Sequence, residues 1–248
     1  MKLESIEYID EFGDTSTASA LALTGSETEL STGWYYISGN VSFNRKIELN
    51  GEISLILCNG AVMDIEDNDI SGGDPEPGTV LNIYRTPGEE EGRLKGKTLR
   101  AETINIAGGL IDTGFGIEAD VLNILGGSLS ASDITIQSVL NMSGGIVDAY
   151  RRSGWIVTNY GDTNISGGTM NVTTDYGDGF NIYGDLTVSG GEVDIHGDLS
   201  GSSDESVLTV SGGKVSVTGE MRGQNIIISG GNVTVLGQLF SYSDLTLG

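Results

Sequence analysis

From residue 103 to the C-terminus, apolar and polar positions alternate in short runs arranged about pairs of glycines. In Leu186-Thr187-Val188-Ser189-Gly190-Gly191-Glu192-Val193-Asp194-Ile195, Leu186 and Val188 flank a polar Thr187, and past the glycines Val193 and Ile195 flank Asp194. The position five residues before the second glycine holds Ile104, Leu122, Leu140, Thr163, Leu186, Leu208 and Ile226 in successive copies. The position three before it holds Ile106, Ile124, Met142, Ile165, Val188, Val210 and Ile228. Between these columns stand Asn105, Asn123, Asn141, Asn164, Thr187, Thr209 and Ile227. Two residues after the glycines come Ile111, Leu129, Val147, Met170, Val193, Val215 and Val233. A period of two on both sides of a glycine corner predicts strand, turn, strand, with the aliphatic columns facing inward and the polar ones outward.

The glycine pairs end at Gly109, Gly127, Gly145, Gly168, Gly191, Gly213 and Gly231, spaced by 18, 18, 23, 23, 22 and 18 residues. A repeat of that size without a helical pattern cannot bury its own inner face, so its copies must stack. The prediction is an all-β fold, a single-stranded parallel β-helix or solenoid. Coils about 4.8 Å apart put like residues over like. Asn105, Asn123, Asn141 and Asn164 are then expected to form a ladder of side-chain amides rather than a ligand site. The glycines suit the corner because they have no Cβ to crowd the next coil.

Upstream, residues 1–33 lack the repeat and are read as a lead-in strand (Ile6, Tyr8, Ile9) and an N-terminal cap, with the solenoid filling 34–248 as one domain. A denser block follows: Gly33-Trp34-Tyr35-Tyr36-Ile37, Ile47-Glu48-Leu49-Asn50-Gly51 and Leu55-Ile56-Leu57-Cys58-Asn59-Gly60-Ala61. With Tyr8-Ile9-Asp10, Leu81-Asn82-Ile83-Tyr84 and Gly92-Arg93-Leu94, it resembles a family of secreted or surface-attached repeat proteins of Gram-positive gut anaerobes, often labelled carbohydrate-binding. The resemblance covers the first hundred residues. It implies a right-handed β-helix and an extracellular or cell-surface setting, and it brings no catalytic residues. Cys58 stands where Ala is common in that family.

Charge narrows the partners. Asp and Glu outnumber Lys and Arg by 35 to 12, a net charge of −23, which repels nucleic acid and anionic membranes. No run is long and apolar enough to insert in a membrane, and residues 1–5 lack the apolar core of a signal peptide, so a secreted parent would carry its leader and anchor outside this chain. One histidine and one cysteine do not make a zinc site, and a lone Cys58 in an apolar run reads as a packed thiol. Residues 66–79 form an acidic Pro/Gly loop; calcium near Glu66, Asp67, Asp69 and Asp74 is the one cofactor it suggests, without the spacing of an EF-hand. At the other end, Leu245 and Leu247 fall in the inward columns of a further copy. That predicts either continuation into more coils or end-to-end self-association.

Function is sought where the repeats lengthen, across 146–207, because solenoid insertions gather on one side. Tyr150, Arg151, Arg152, Trp155, Tyr160, Asp175, Tyr176, Asp178 and Tyr183 lie in or beside the extra residues. Aromatic faces stack on sugar rings while carboxylates and guanidinium groups take hydroxyl hydrogen bonds, so these are candidate ligand-binding residues for a glycan or other surface polymer. A ring such as Trp155 or Tyr176 is expected to be exposed. Tyr160 and Tyr183 precede identical Gly-Asp pairs and are expected to stack one coil apart. Phe180 and Val157 equally suit the filling of a widened coil. The expected function is an extracellular binding or adhesion module. One alternative is a polysaccharide lyase or glycoside hydrolase using Asp148, Asp194 and His196, with the two aspartates two coils or about 9.6 Å apart. A structural stalk is the other.

Overall fold

The structure, a computed structural model, describes residues 2–72 and 78–248. It contains two compact units, residues 1–130 and 131–248. Among the described residues there is no helix; within each unit, parallel strands stack coil on coil into the expected β-solenoid.

In the first unit, Glu29–Ile37 lies on Ile47–Leu57, which lies on Val80–Arg85; Arg93–Ile106 and Leu110–Ile124 follow. The register brings Ile53, Leu81, Ile104 and Leu122 into one column and Leu55, Ile83, Ile106 and Ile124 into the next, all buried. Burying each such side chain is worth about 1.5–3 kcal/mol, which is why the columns set the register. Outside them runs the amide ladder. Asn123 Nδ2 donates to Asn105 Oδ1 at 2.7 Å, and Asn105 Nδ2 to Asn82 Oδ1 at 2.7 Å. Asn82 extends the ladder beyond the predicted column and in turn donates to Ser54 Oγ at 3.3 Å.

The N-terminal segment does more than close a first coil. Leu3–Ile9 and Thr15–Ala22 form an antiparallel hairpin whose turn is held by Asp10, with Oδ1 accepting the Phe12 and Asp14 N–H groups at 3.0 and 2.9 Å. The hairpin lies across the outer face of the stack. Ile6, Tyr8, Ala18 and Ala20 pack on Trp34, Tyr36, Ile56, Cys58 and Tyr84, and Ile9 reaches Arg85. Leu21, Ala22 and Leu23 join the stack itself, beside Tyr35 and Tyr36. The uninterrupted run Leu55-Ile56-Leu57-Cys58 is thereby explained, since a strand covered on both faces has no reason to alternate. Parallel stacking thus begins at Leu21, and the strand Glu29–Ile37 also starts within the segment assigned to the cap. Part of the acidic loop is likewise strand: Asp69–Gly72 pairs with Ile47–Leu49, and Ile70 is buried. Residues 73–77, including Asp74 of the calcium proposal, lie outside the described residues.

Each coil of the second unit has three faces. The first precedes the glycines and stacks Thr163, Leu186, Leu208, Ile226 and Leu245, with Ile165, Val188, Val210, Ile228 and Leu247 two residues on. The second follows the glycines and stacks Val147, Met170, Val193, Val215 and Val233. The third is a short strand stacking Val157, Phe180, Leu199, Met221 and Leu239. The polar Thr163 fits its dry column because its hydroxyl accepts a hydrogen bond from Asn159 Nδ2 at 2.9 Å. At the corner, Gly213 has φ +71°, and a Cβ there would sit 2.7 Å from the Gly190 carbonyl carbon. Both conditions demand glycine.

Candidate functional site

On the second face, Ile146–Ser153 and Thr169–Ile182 run side by side, pairing Tyr150 with Thr173, Arg151 with Thr174 and Ser153 with Tyr176. Alternation holds through buried Val147 and Ala149, then stops: Tyr150, Arg151, Arg152 and Ser153 are all exposed. Here the chain leaves the core, turning at Gly154 (φ +91°) before Ile156 and Val157 re-enter it fully buried. The next coil makes its own excursion, with Thr174 Oγ1 accepting the Tyr176 N–H at 3.2 Å and Gly177 turning the chain ahead of buried Phe180. The extra residues thus build a projecting corner between second and third faces. Arg151 is tied down by Asp133, Nη1 to Oδ2 at 2.8 Å, and Tyr150 OH donates to Asp175 Oδ2 at 3.4 Å. Arg152 is exposed, Trp155 half-buried and Tyr176 exposed.

Tyr160 and Tyr183 stand on the opposite corner, between third and first faces. Their rings stack as expected, with centroids 5.0 Å apart and planes 14° from parallel. The backbone beneath them is fixed. Asn159, fully buried, accepts the Gly161 N–H at 3.1 Å and donates to the Asp162 carbonyl at 2.7 Å. Asp162 Oδ1 accepts the Asp185 N–H at 3.0 Å, and Asp185 Oδ1 the Val207 N–H at 2.9 Å. These aspartates join coil to coil.

The nine candidate residues therefore form two groups. Tyr150, Arg151, Arg152, Trp155, Asp175 and Tyr176 lie on one corner with half-buried Asp178 at its base; Tyr160 and Tyr183 lie on the other. The third-face strands Val157–Asn159 and Phe180–Ile182 separate them. Phe180 and Val157 fill the coil interior, the packing role they equally suited. Across the third face, the positions between inward residues are Thr135, Thr158, Asn181 and Ser200, a polar lane that the sequence reading passed over. Its signal was the parity of the short strand, which can be read only once the corners are placed.

Asp148, Asn171 and Asp194 follow one another in register, as the outward column predicted. Asn171 Nδ2 donates to Asp148 Oδ1 at 2.7 Å, so an amide fills the interval between the carboxylates. His196 Nε2 is 3.8 Å from Asp194 Oδ2. A hydrolase needs room between its carboxylates for a water or a glycosidic oxygen, and this column gives that room to Asn171. Among the described residues, no group of three or more His, Cys, Asp or Glu side chains is placed to hold a metal ion. The Glu66 N–H is accepted by Asp64 Oδ1 at 2.9 Å. Cys58 packs against the hairpin, and burial pushes its thiol pKa up, away from the reactive thiolate.

No protein-family model, no curated protein and no solved structure matches the chain.

Proposed function

We propose that this protein is an extracellular binding module of a bacterial surface protein and that its ligand is a glycan, held at the widened coils. The observation that carries the reading is the concentration of four tyrosine rings left in water on two adjacent coils: Tyr150, Tyr160, Tyr176 and Tyr183 are 53%, 50%, 63% and 40% exposed. A ring that contributes little to packing yet stays at the surface offers a flat apolar face, and clustered faces mark an interaction surface. Sugars suit such faces because one side of a pyranose is apolar while its rim carries hydroxyls. Carboxylates and guanidinium groups stand beside the rings to meet those hydroxyls. The net charge of −23 turns anionic polymers away.

A glycan array probed with the native chain tests the reading. Binding is expected to selected oligosaccharides, and to be lost in the quadruple Tyr→Ala variant at positions 150, 160, 176 and 183 while the chain stays folded by circular dichroism. A blank array, or undiminished binding by that variant, overturns it.

A further inference from the structure

The two aromatic corners flank one face of the coil, the third. Between the corners the third face is short: from Trp155 to Tyr160 is five residues, about 16 Å of extended chain. Its outer surface is small and polar. Thr135 and Thr158 are partly exposed, and the Thr135 hydroxyl donates to Asp133 Oδ1 at 2.9 Å. Asn181 and Ser200 are buried, with Ser202 Oγ donating to Asn181 Oδ1. The part of the face that a ligand can reach is therefore the polar strip of Thr135 and Thr158, with tyrosines at both corners, Tyr150 and Tyr176 at one, Tyr160 and Tyr183 at the other.

Around that strip stand Asp133, Asp162, Asp175, Asp178 and Asp185 with Arg151 and Arg152, while Arg222, in register with Ser200, is paired with Asp198 and Glu220. Arg151 is already paired with Asp133. The local field is therefore negative. It disfavours a carboxylated or sulfated ligand and favours a hydroxylated or amine-bearing one.

Resting on the glycan reading, we infer that the third face between the two tyrosine edges is a single subsite array for a neutral or amine-bearing oligosaccharide long enough to lie across the coil and touch both edges. Engaging the second edge is then an intramolecular event. A ligand that spans both binds more tightly than one covering a single edge, by on the order of a hundredfold.

The test is an array of neutral, amine-bearing and uronate oligosaccharides at graded lengths, followed by titration calorimetry on the series that bind. Three proteins are compared: the native chain, Tyr160→Ala with Tyr183→Ala, and Tyr150→Ala with Tyr176→Ala. The inference expects affinity to climb with length in the neutral or amine-bearing series, no binding of uronates, and loss of the climb in either double variant while short oligomers still bind the remaining edge. Length-independent binding, a preference for uronates, or a climb that survives loss of one edge overturns the bridging site but leaves a glycan-binding protein. Binding to no member of any series overturns the glycan reading itself.

Discussion

Tyrosine rings are packed differently in the two units. In the first, Tyr8, Trp34 and Tyr84 close on one another, with centroids 4.8, 4.9 and 5.4 Å apart, because a hairpin brings Tyr8 down on the outer face. In the second, Tyr160 and Tyr183 make a comparable ring contact and nothing covers them, so both remain exposed. The inner columns of the two units are alike. What differs is whether an outward ring is packed beneath a hairpin or left exposed.

The strongest attempt to break that contrast is Ile56→Ala. On an ordinary solenoid an outward position tolerates truncation, yet Ile56 is 0% exposed beneath the hairpin. Its loss is expected to cost about 2–5 kcal/mol, as for an inner-column aliphatic residue. Thr158→Ala, outward on the third face, should stay within about 0.5 kcal/mol of native. Urea denaturation of both variants gives the comparison; similar values would mean that the hairpin does not seal the face.

Next come the corners, where the units should not differ. Gly127 and Gly213 share φ +71°, and a Cβ on either would approach the preceding coil's carbonyl oxygen, Gly109 or Gly191, to 2.6 Å. Gly127→Ala and Gly213→Ala are each expected to lose about 1–3 kcal/mol through backbone strain. Equal losses in thermal unfolding support a shared coil; a clear inequality would place a further difference between the units in the coil itself.

These corners and columns were legible in the sequence because stacking forces each to repeat at a fixed offset from a glycine pair. Val188 and Val210 pair in register, as the period required. The amide ladder was legible for the same reason, except at Asn82, which has no glycine pair to index it. The sealed outer face left only an indirect trace, the unbroken run Leu55 to Cys58, whose second partner is a hairpin more than thirty residues upstream. Nor did the strand Asp69–Gly72 announce itself, being too short to show a period amid acidic residues. The candidate site was legible as composition and not as geometry. Nothing in the letters from Tyr150 to Tyr183 marks Ile156-Val157 as the return to the core, and that return splits the aromatic group in two.

A smaller effect separates the units by pH. Burial pushes Tyr84 up to about 12, with the negative charges of Glu11, Tyr8, Glu52 and Asp10 adding to it. Burial also raises Tyr8. Between pH 10 and about 12 the folded chain keeps the Tyr84 proton that the unfolded chain gives up, so unfolding releases a proton and stability falls as pH rises. Below pH 10 this contribution is complete. The expected outcome is a Tm that declines over this window and declines less in Tyr84→Phe. An unchanged slope in that variant would show that Tyr84 ionises as freely in the fold as in the unfolded chain.

The smallest stability effect is expected where the binding effect is largest. Tyr160→Ala with Tyr183→Ala removes a ring pair whose backbone is held independently, by Asn159 under Gly161 and by Asp162 under Asp185. The change should therefore move stability by no more than about 1 kcal/mol, the scale of an exposed aromatic pair. Tyr8→Ala strips a half-buried ring from the cluster under the hairpin and is expected to lose more, about 2 kcal/mol. Denaturant midpoints of the two variants decide the matter. If the exposed pair proves as costly to remove as Tyr8, those tyrosines hold the coil together, and a packing role accounts for them without a ligand. If the pair is nearly silent in folding, packing does not account for it, and the glycan measurements decide what it does.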